Sequence, residues 1–266
     1  MGIISCFFKK TRFIAREASL VSERARYGDN KSRLLSCIAR LSYKNLDAIV
    51  CQCEDIRVDL SSSFNIEDRK LHIIGNPITM RLSEPNMNGV SSLGKVKFIT
   101  VGRLSEVKGH SRIILGLSKI KTYDFHYTLV GNGPLRRKIE EEIEGHNLKD
   151  KVTFIKYTSK VLEEIAKNDY FLQGSFVEGF PNAVLESCSI GVPVIAFNCP
   201  GGTRDIIGEK SGYLIENQSE FESLLVDLHE RKKFAKNPII DSVFSKYEAE
   251  YIIGKYKDVF LGLLRN

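Results

Sequence analysis

A chain of 266 residues, 42% hydrophobic and 27% charged, has the composition of an ordinary globular protein and room for one large or two modest domains. Its formal charge of +6 is concentrated in the first fifty residues, where ten Lys and Arg stand against four Asp and Glu. Such an end points to an anionic surface, membrane or nucleic acid, or to a solvated face without a partner. No apolar run reaches transmembrane length, and Ile3–Phe8 is too short for a signal peptide. Met1-Gly2 opens like a myristoylation site, but Cys6 stands where Ser or Thr is needed. The six cysteines form no C-x-x-C pair and no zinc spacing. They read as buried free thiols of a reducing cytoplasm.

In chain order, the end of a helix leads into a strand at Arg12–Glu17, followed by polar, irregular sequence to residue 30. Leu34, Leu35, Ile38, Leu41 and Leu46 keep a helical stripe over Lys31–Asp47. A strand at Ala48–Gln52, a helix at Glu54–Phe64 and a strand at Lys70–Ile74 follow, closed by Gly75-Asn76-Pro77. This alternation predicts a parallel sheet. Residues 83–94 are turn-rich and poor in apolar side chains, and read as a linker.

A second alternation follows. Strands are predicted at Val96–Val101, Phe125–Val130, Val152–Ile155, Tyr170–Ser175, Val192–Phe197 and Gly212–Ile215. Between them lie a helix from His110, one carrying Leu135, Ile139 and Ile143, a short one over Lys160–Lys167, one entered at Asn182 as N-cap, and one capped by Thr203. Two helices, about 218–231 and 247–264, close the chain. The rhythm on both sides of the linker predicts two doubly wound α/β domains.

Ligands of such sheets bind beyond the carboxyl ends of the strands. Here those ends carry Gly102-Arg103 with Lys108 soon after, Gly131-Asn132-Gly133, Glu178-Gly179 and Gly201-Gly202. Arg103 and Lys108 offer charge to a diphosphate, or are surface cations. The glycines let a ligand approach backbone N–H groups, or are plain turns. Glu178 and Glu186 bracket the entry to a helix whose N-terminus favours phosphate, and carboxylates there can accept bonds from sugar or ribose hydroxyls. Together they suit a nucleotide sugar.

Residues 96–215 resemble the family 4 (group 1) retaining glycosyltransferases of GT-B fold. The matching pieces are Val101-Gly-Arg-Leu104 with Lys108-Gly109, Val130-Gly-Asn-Gly-Pro134, Glu178-Gly-Phe-Pro-Asn-Ala-Val-Leu-Glu186, Gly191-Val-Pro-Val194 and Gly201-Gly202. The resemblance implies a complete C-terminal Rossmann-like donor domain over 95–245, a linker at 83–94, a partial acceptor-side domain over 1–82 and a C-terminal helix, 246–266, packing back on it. It implies that Arg103 and Lys108 hold the diphosphate and Glu178 the donor sugar, with these three as the catalytic set. Gly102, Gly131, Asn132, Gly133, Gly179, Phe180, Pro181, Asn182 and Glu186 would bind the donor, Glu186 through the ribose. The base would lie near Lys156–Thr158. Neither metal nor cofactor is implied.

The partners implied are a nucleotide-sugar donor and a saccharide or lipid-linked acceptor in bacterial surface polysaccharide synthesis. The enzyme would be cytoplasmic, its basic end against the inner face of the membrane, with no nucleic acid bound. Family members carry a longer first domain, so an N-terminally truncated chain is expected. The alternative is a non-catalytic remnant or partner subunit that binds the nucleotide sugar.

Overall fold

The computed structural model describes residues 11–23, 42–79, 94–231 and 233–265. The expected linker, apart from Gly94, and most of the helix over Lys31–Asp47 lie outside these residues, as do Cys6, Cys37 and much of the basic end.

The first unit is a parallel sheet in the order β1 (Ile14–Glu17), β2 (Ala48–Cys51), β3 (Leu71–Ile73). All four residues of β2 are fully buried, as a central strand covered on both faces requires. Helix α1 (Glu54–Phe64) crosses from β2 to β3. It ends where Asn65 turns left-handed at φ 54° and its N–H bonds Leu60 O.

The second unit has six parallel strands: β4 (Lys95–Val101), β5 (Asp124–Val130), β6 (Val152–Ile155), β7 (Tyr170–Gln173), β8 (Val194–Phe197) and β9 (Gly212–Ile215). They lie in the order β6-β5-β4-β7-β8-β9. The chain therefore winds outward from β4, returns, and winds the other way from β7. The crevice between the carboxyl ends of β4 and β7 is the topological switch point.

Alternate residues of these strands feed two cores. Phe98, Tyr127, Leu172, Ile195 and Phe197 pack with α2 (His110–Ser118), α3 (Arg136–Gly145) and later α7 (Gln218–Asp227). Ile99, Val130, Phe171, Val194 and Ala196 pack with α4 (Val161–Ala166), α5 (Asn182–Ser189), α6 (Thr203–Ile206), α8 (Lys236–Tyr247) and α9 (Ala249–Arg265). The second core also takes in Ala48, Val50 and Ile74 of the first unit.

The structure corrects several boundaries. β7 stops at Gln173, two residues early, because the carbonyls of Gly174 and Ser175 turn to the Arg112 guanidinium. Asn182 is not an N-cap. Pro181 holds that position, and Asn182 is the first helical residue. Thr203 likewise opens α6 behind Gly202, and its hydroxyl bonds Gln173 instead of capping. Helix α8 was not expected. Pro238 interrupts the pattern, yet it sits in the first helical turn, where a missing N–H costs nothing. The last helix begins at Ala249.

The two units meet strand-end to strand-end. Gly201 N–H donates to Asp55 Oδ2 at 2.8 Å, and Glu54 N–H at the start of α1 donates to Asp205 Oδ2 at 3.2 Å. Ile78 N–H donates to Tyr247 O at 2.8 Å. Gly179 sits so close to the first unit that a Cβ there would stand 1.8 Å from the Ala18 carbonyl oxygen. Cys51, Cys53, Cys188 and Cys199 are free and buried. Burial pushes the first three thiols up to about 12, so they stay protonated at neutral pH.

Gly179→Ala is expected to lower stability in chemical denaturation by about 1–3 kcal/mol, the scale of forced overpacking. Gly254→Ala, inside α9 with nothing within 4 Å of the new methyl, is expected to raise it by about 0.5–1 kcal/mol. Equal effects would contradict the contact between units.

Candidate active site

The switch-point crevice is a cavity of about 350 Å³ lined by residues of both strand ends and of the α5 entry, among them Gly102, Arg103, Lys108, Ser175, Glu178 and Glu186. From β4 the chain runs through Gly102 and Arg103 into a short 3₁₀ turn, Glu106–Lys108. It leaves through Gly109 at φ 57°. Only glycine serves there, since a Cβ would lie 1.9 Å from Gly174 O at the end of β7. This approach brings Lys108 against Glu178.

Glu178 is only 8% exposed. Lys108 Nζ stands 2.7 and 2.9 Å from its two oxygens, Gln173 Nε2 donates at 3.2 Å, and Ser175 Oγ donates to Oε1. A carboxylate that far from water needs such a shell. The shell is itself braced. Arg112 reaches the Gly174 and Ser175 carbonyls, with its guanidinium 4.2 Å from the Phe176 ring and 3.6 Å from that of Phe197. Thr203 Oγ1 holds Gln173 Oε1 at 3.2 Å.

The buried His110 ring bonds the Arg103 carbonyl through Nε2 at 3.0 Å. A carbonyl can only accept, so Nε2 carries the proton. Burial lowers the pKa of the ring, which favours this neutral form. The bond pins the backbone that presents Arg103, whose side chain is exposed.

Helix α5 enters from Pro181 without a side-chain cap, so its first N–H groups remain available to an anion. Phe180 packs edge-on against Tyr247 at 5.4 Å. Glu186, one turn into α5, is half-buried, and burial pushes its carboxyl above the usual range. It also lines a second cavity of about 210 Å³, on the side of Arg16, Asn76 and Pro77.

The structure thus gathers Gly102, Arg103, Lys108, Glu178, Phe180, Pro181, Asn182 and Glu186 around one cavity, with Gly179 in the same loop. Gly131, Asn132 and Gly133 do not line it, because β5 lies on the far side of β4 from β7. They brace the Arg103 loop from behind. Leu104 N–H donates to Asn132 O at 3.0 Å, and a Cβ on Gly131 would stand 1.9 Å from Gly102 O. Sequence reasoning missed Gln173, Ser175, His110 and Arg112. Gln173 alone carried a readable signal, a polar amide closing the apolar strand Tyr170-Phe-Leu.

Two parallel α/β units, with strand ends opposed across a cleft and the crevice of the second open to it, define a GT-B fold. Solved structures agree. HepE of Anabaena, crystallised with UDP, superposes with a TM-score of 0.80 at 15% identity, over 100% of this chain and 75% of that one. The chain belongs to the glycosyl transferases group 1 family, which it matches over residues 83–239. It is 27% identical over 232 residues to N-acetylgalactosamine-N,N'-diacetylbacillosaminyl-diphospho-undecaprenol 4-alpha-N-acetylgalactosaminyltransferase of Campylobacter jejuni, covering 85% of this chain and 63% of that protein. It is 24% identical to the amylovoran biosynthesis glycosyltransferase AmsD of Erwinia amylovora, covering 75% and 58%. The chain therefore spans about three-fifths of the length of these two relatives.

Glu186→Gln is expected to raise the melting temperature at pH 7. The folded-state pKa lies above the unfolded one, so stability is greatest below the unfolded value and falls as pH rises through the folded one. The advantage of Gln should vanish on acidification below the ordinary carboxylate range. Lys108→Met is expected to cost about 1–3 kcal/mol in chemical denaturation by leaving Glu178 without its cation. A neutral outcome would show that the pair is not formed.

Proposed function

We propose that this chain serves the transfer of a sugar, with retention of configuration, from a nucleotide-sugar donor to a saccharide or lipid-linked acceptor in bacterial surface polysaccharide synthesis. The observation that carries the reading is the buried Glu178, held by Lys108 at the switch point beside the uncapped start of α5. Two relatives support the class of product: the Campylobacter jejuni transferase acts on a diphospho-undecaprenol sugar and AmsD serves amylovoran biosynthesis.

In this reading residues 95–245 are the donor side and residues 1–82 part of the acceptor side, with the C-terminal helix packing back on the latter. Arg103, Lys108 and the first N–H groups of α5 meet the diphosphate. They stabilise the negative charge that grows on it as the bond to the anomeric carbon breaks. A lysine bonded to a carboxylate through part of its ammonium keeps a further proton to donate. Glu178 accepts from hydroxyls of the sugar and Glu186 from those of the ribose. Glu178 also lends its charge to the oxocarbenium-like transition state. Lys156–Thr158 border the base. Neutral His110 holds the backbone from which Arg103 extends toward the diphosphate.

The acceptor hydroxyl approaches from the first unit, on the face the leaving group vacates, which gives retention. Among the described residues no helix is long and apolar enough to cross a membrane. The basic first fifty residues then serve as a peripheral contact with the inner face of the cytoplasmic membrane.

The test is turnover of UDP- and GDP-sugars with undecaprenyl-diphosphate-linked saccharides, reading nucleoside diphosphate release and the anomer formed by NMR. A product with the donor's own anomeric configuration is expected. An inverted product would overturn the mechanism. Donor binding without turnover would favour the competing reading, a non-catalytic nucleotide-sugar-binding chain. Absence of donor binding would overturn both.

A further inference from the structure

Three strand ends of the first unit converge on one side chain. Arg16, from β1, donates through Nη2 to Asn76 Oδ1, and Gln52, just beyond β2, donates to the same oxygen through Nε2. Asn76, which follows β3, then donates through Nδ2 to Asn182 Oδ1 at 2.6 Å. Asn182 is the first residue of α5 and lines both cavities.

The polarity of this chain of bonds does not depend on how any amide is labelled. A guanidinium can only donate. The atom of Asn76 facing Arg16 must therefore be its oxygen, the atom facing Asn182 must be its nitrogen, and the atom of Asn182 facing Asn76 must be its oxygen. The Asn182 Nδ2 group, with its two protons, is the end of the amide that Asn76 does not engage, on a residue that lines both cavities.

We infer that Asn76 is a positioning residue of the donor site: from the first unit it fixes the Asn182 side-chain amide so that its N–H, and not its oxygen, is offered to an oxygen of the nucleotide sugar. The inference rests on the donor-site reading above and deepens it. The ligand chemistry is an acceptor oxygen, of the diphosphate or of the sugar, beside the α5 N-terminus. The contact also makes donor recognition depend on the two units being docked, since Arg16, Gln52 and Asn76 all belong to the first.

Asn76→Asp inverts the polarity with almost no change in shape. The introduced carboxylate still accepts from Arg16 and Gln52. Its second oxygen now accepts as well, so the Asn182 amide turns and presents Oδ1 to the ligand. With ¹⁵N-asparagine labelling, and UDP and UDP-glucose as probes, the side-chain amide pair of Asn182 in the unsubstituted chain is expected to shift on titration. In N76D that shift should disappear. Affinity should fall about tenfold, the scale of one lost hydrogen bond, while the melting temperature stays close to that of the parent.

A shift with UDP alone assigns the contact to the diphosphate, and a shift only with UDP-glucose assigns it to the sugar. Asn182→Ala, at an exposed helical position, removes the donor without touching the first unit and is expected to weaken binding similarly. Parent-like affinity in folded N76D or in N182A would overturn the inference while leaving the donor site standing. If the unsubstituted chain binds neither probe, the donor-site reading falls and the inference with it.

Discussion

The ion pair between Lys108 and Glu178 is the constraint on which the site depends. A carboxylate at 8% exposure is costly unless each oxygen is met, and here the cation, an amide and a hydroxyl meet them. Those partners come from the loop after β4, from the last residue of β7 and from the turn beyond it. The pair therefore fastens the two strands that flank the switch point. It also keeps a positive group and a hydrogen-bond acceptor ready on one wall of the cavity. Lys108 is a third exposed at its side chain, so its head can meet an incoming anion without first abandoning Glu178.

Rigidity around the pair comes from backbone pressed on backbone. The Lys108 loop rests on Gly174, the Arg103 loop on Gly131 and Gly133, and the Glu178 loop on Gly201. Arg112 gathers the carbonyls that these contacts leave without strand partners. Such a scaffold limits how far the charged side chains it carries can move. The second unit does not do this alone. The first packs against Gly179, Gly201 and the start of α5, so the two units form one hydrogen-bonded surface along the cleft.

Much of this was legible. The pattern of apolar residues located every strand of the described sheets and the helix over Glu54–Phe64. The spacing of Glu178 and Glu186 placed both carboxylates on one cavity. Strand order was not legible, because periodicity carries no information about which strands pair. Gly131–Gly133, grouped in sequence with the other strand-end glycines, lie outside the cavity lining and pack on the Gly102–Leu104 loop. Asn182 reads as an N-cap because a capping residue and a first helical residue look alike in sequence; Pro181 holds the cap position. Arg112 looked like any surface cation on α2, since its partners are carbonyls that no sequence pattern reveals. Helix α8 was missed through Pro238, although Ile239, Val243 and Tyr247 keep a helical stripe.

The central claim is that the Lys108–Glu178 wall of the switch-point cavity seats the diphosphate of a nucleotide sugar. Calorimetric titration of UDP and GDP into the chain and into its Lys108→Met variant tests it most directly. One site is expected in the parent, and an affinity at least about tenfold weaker in the variant, as loss of a charge-assisted phosphate contact implies. A folded variant that binds as tightly as the parent would contradict it.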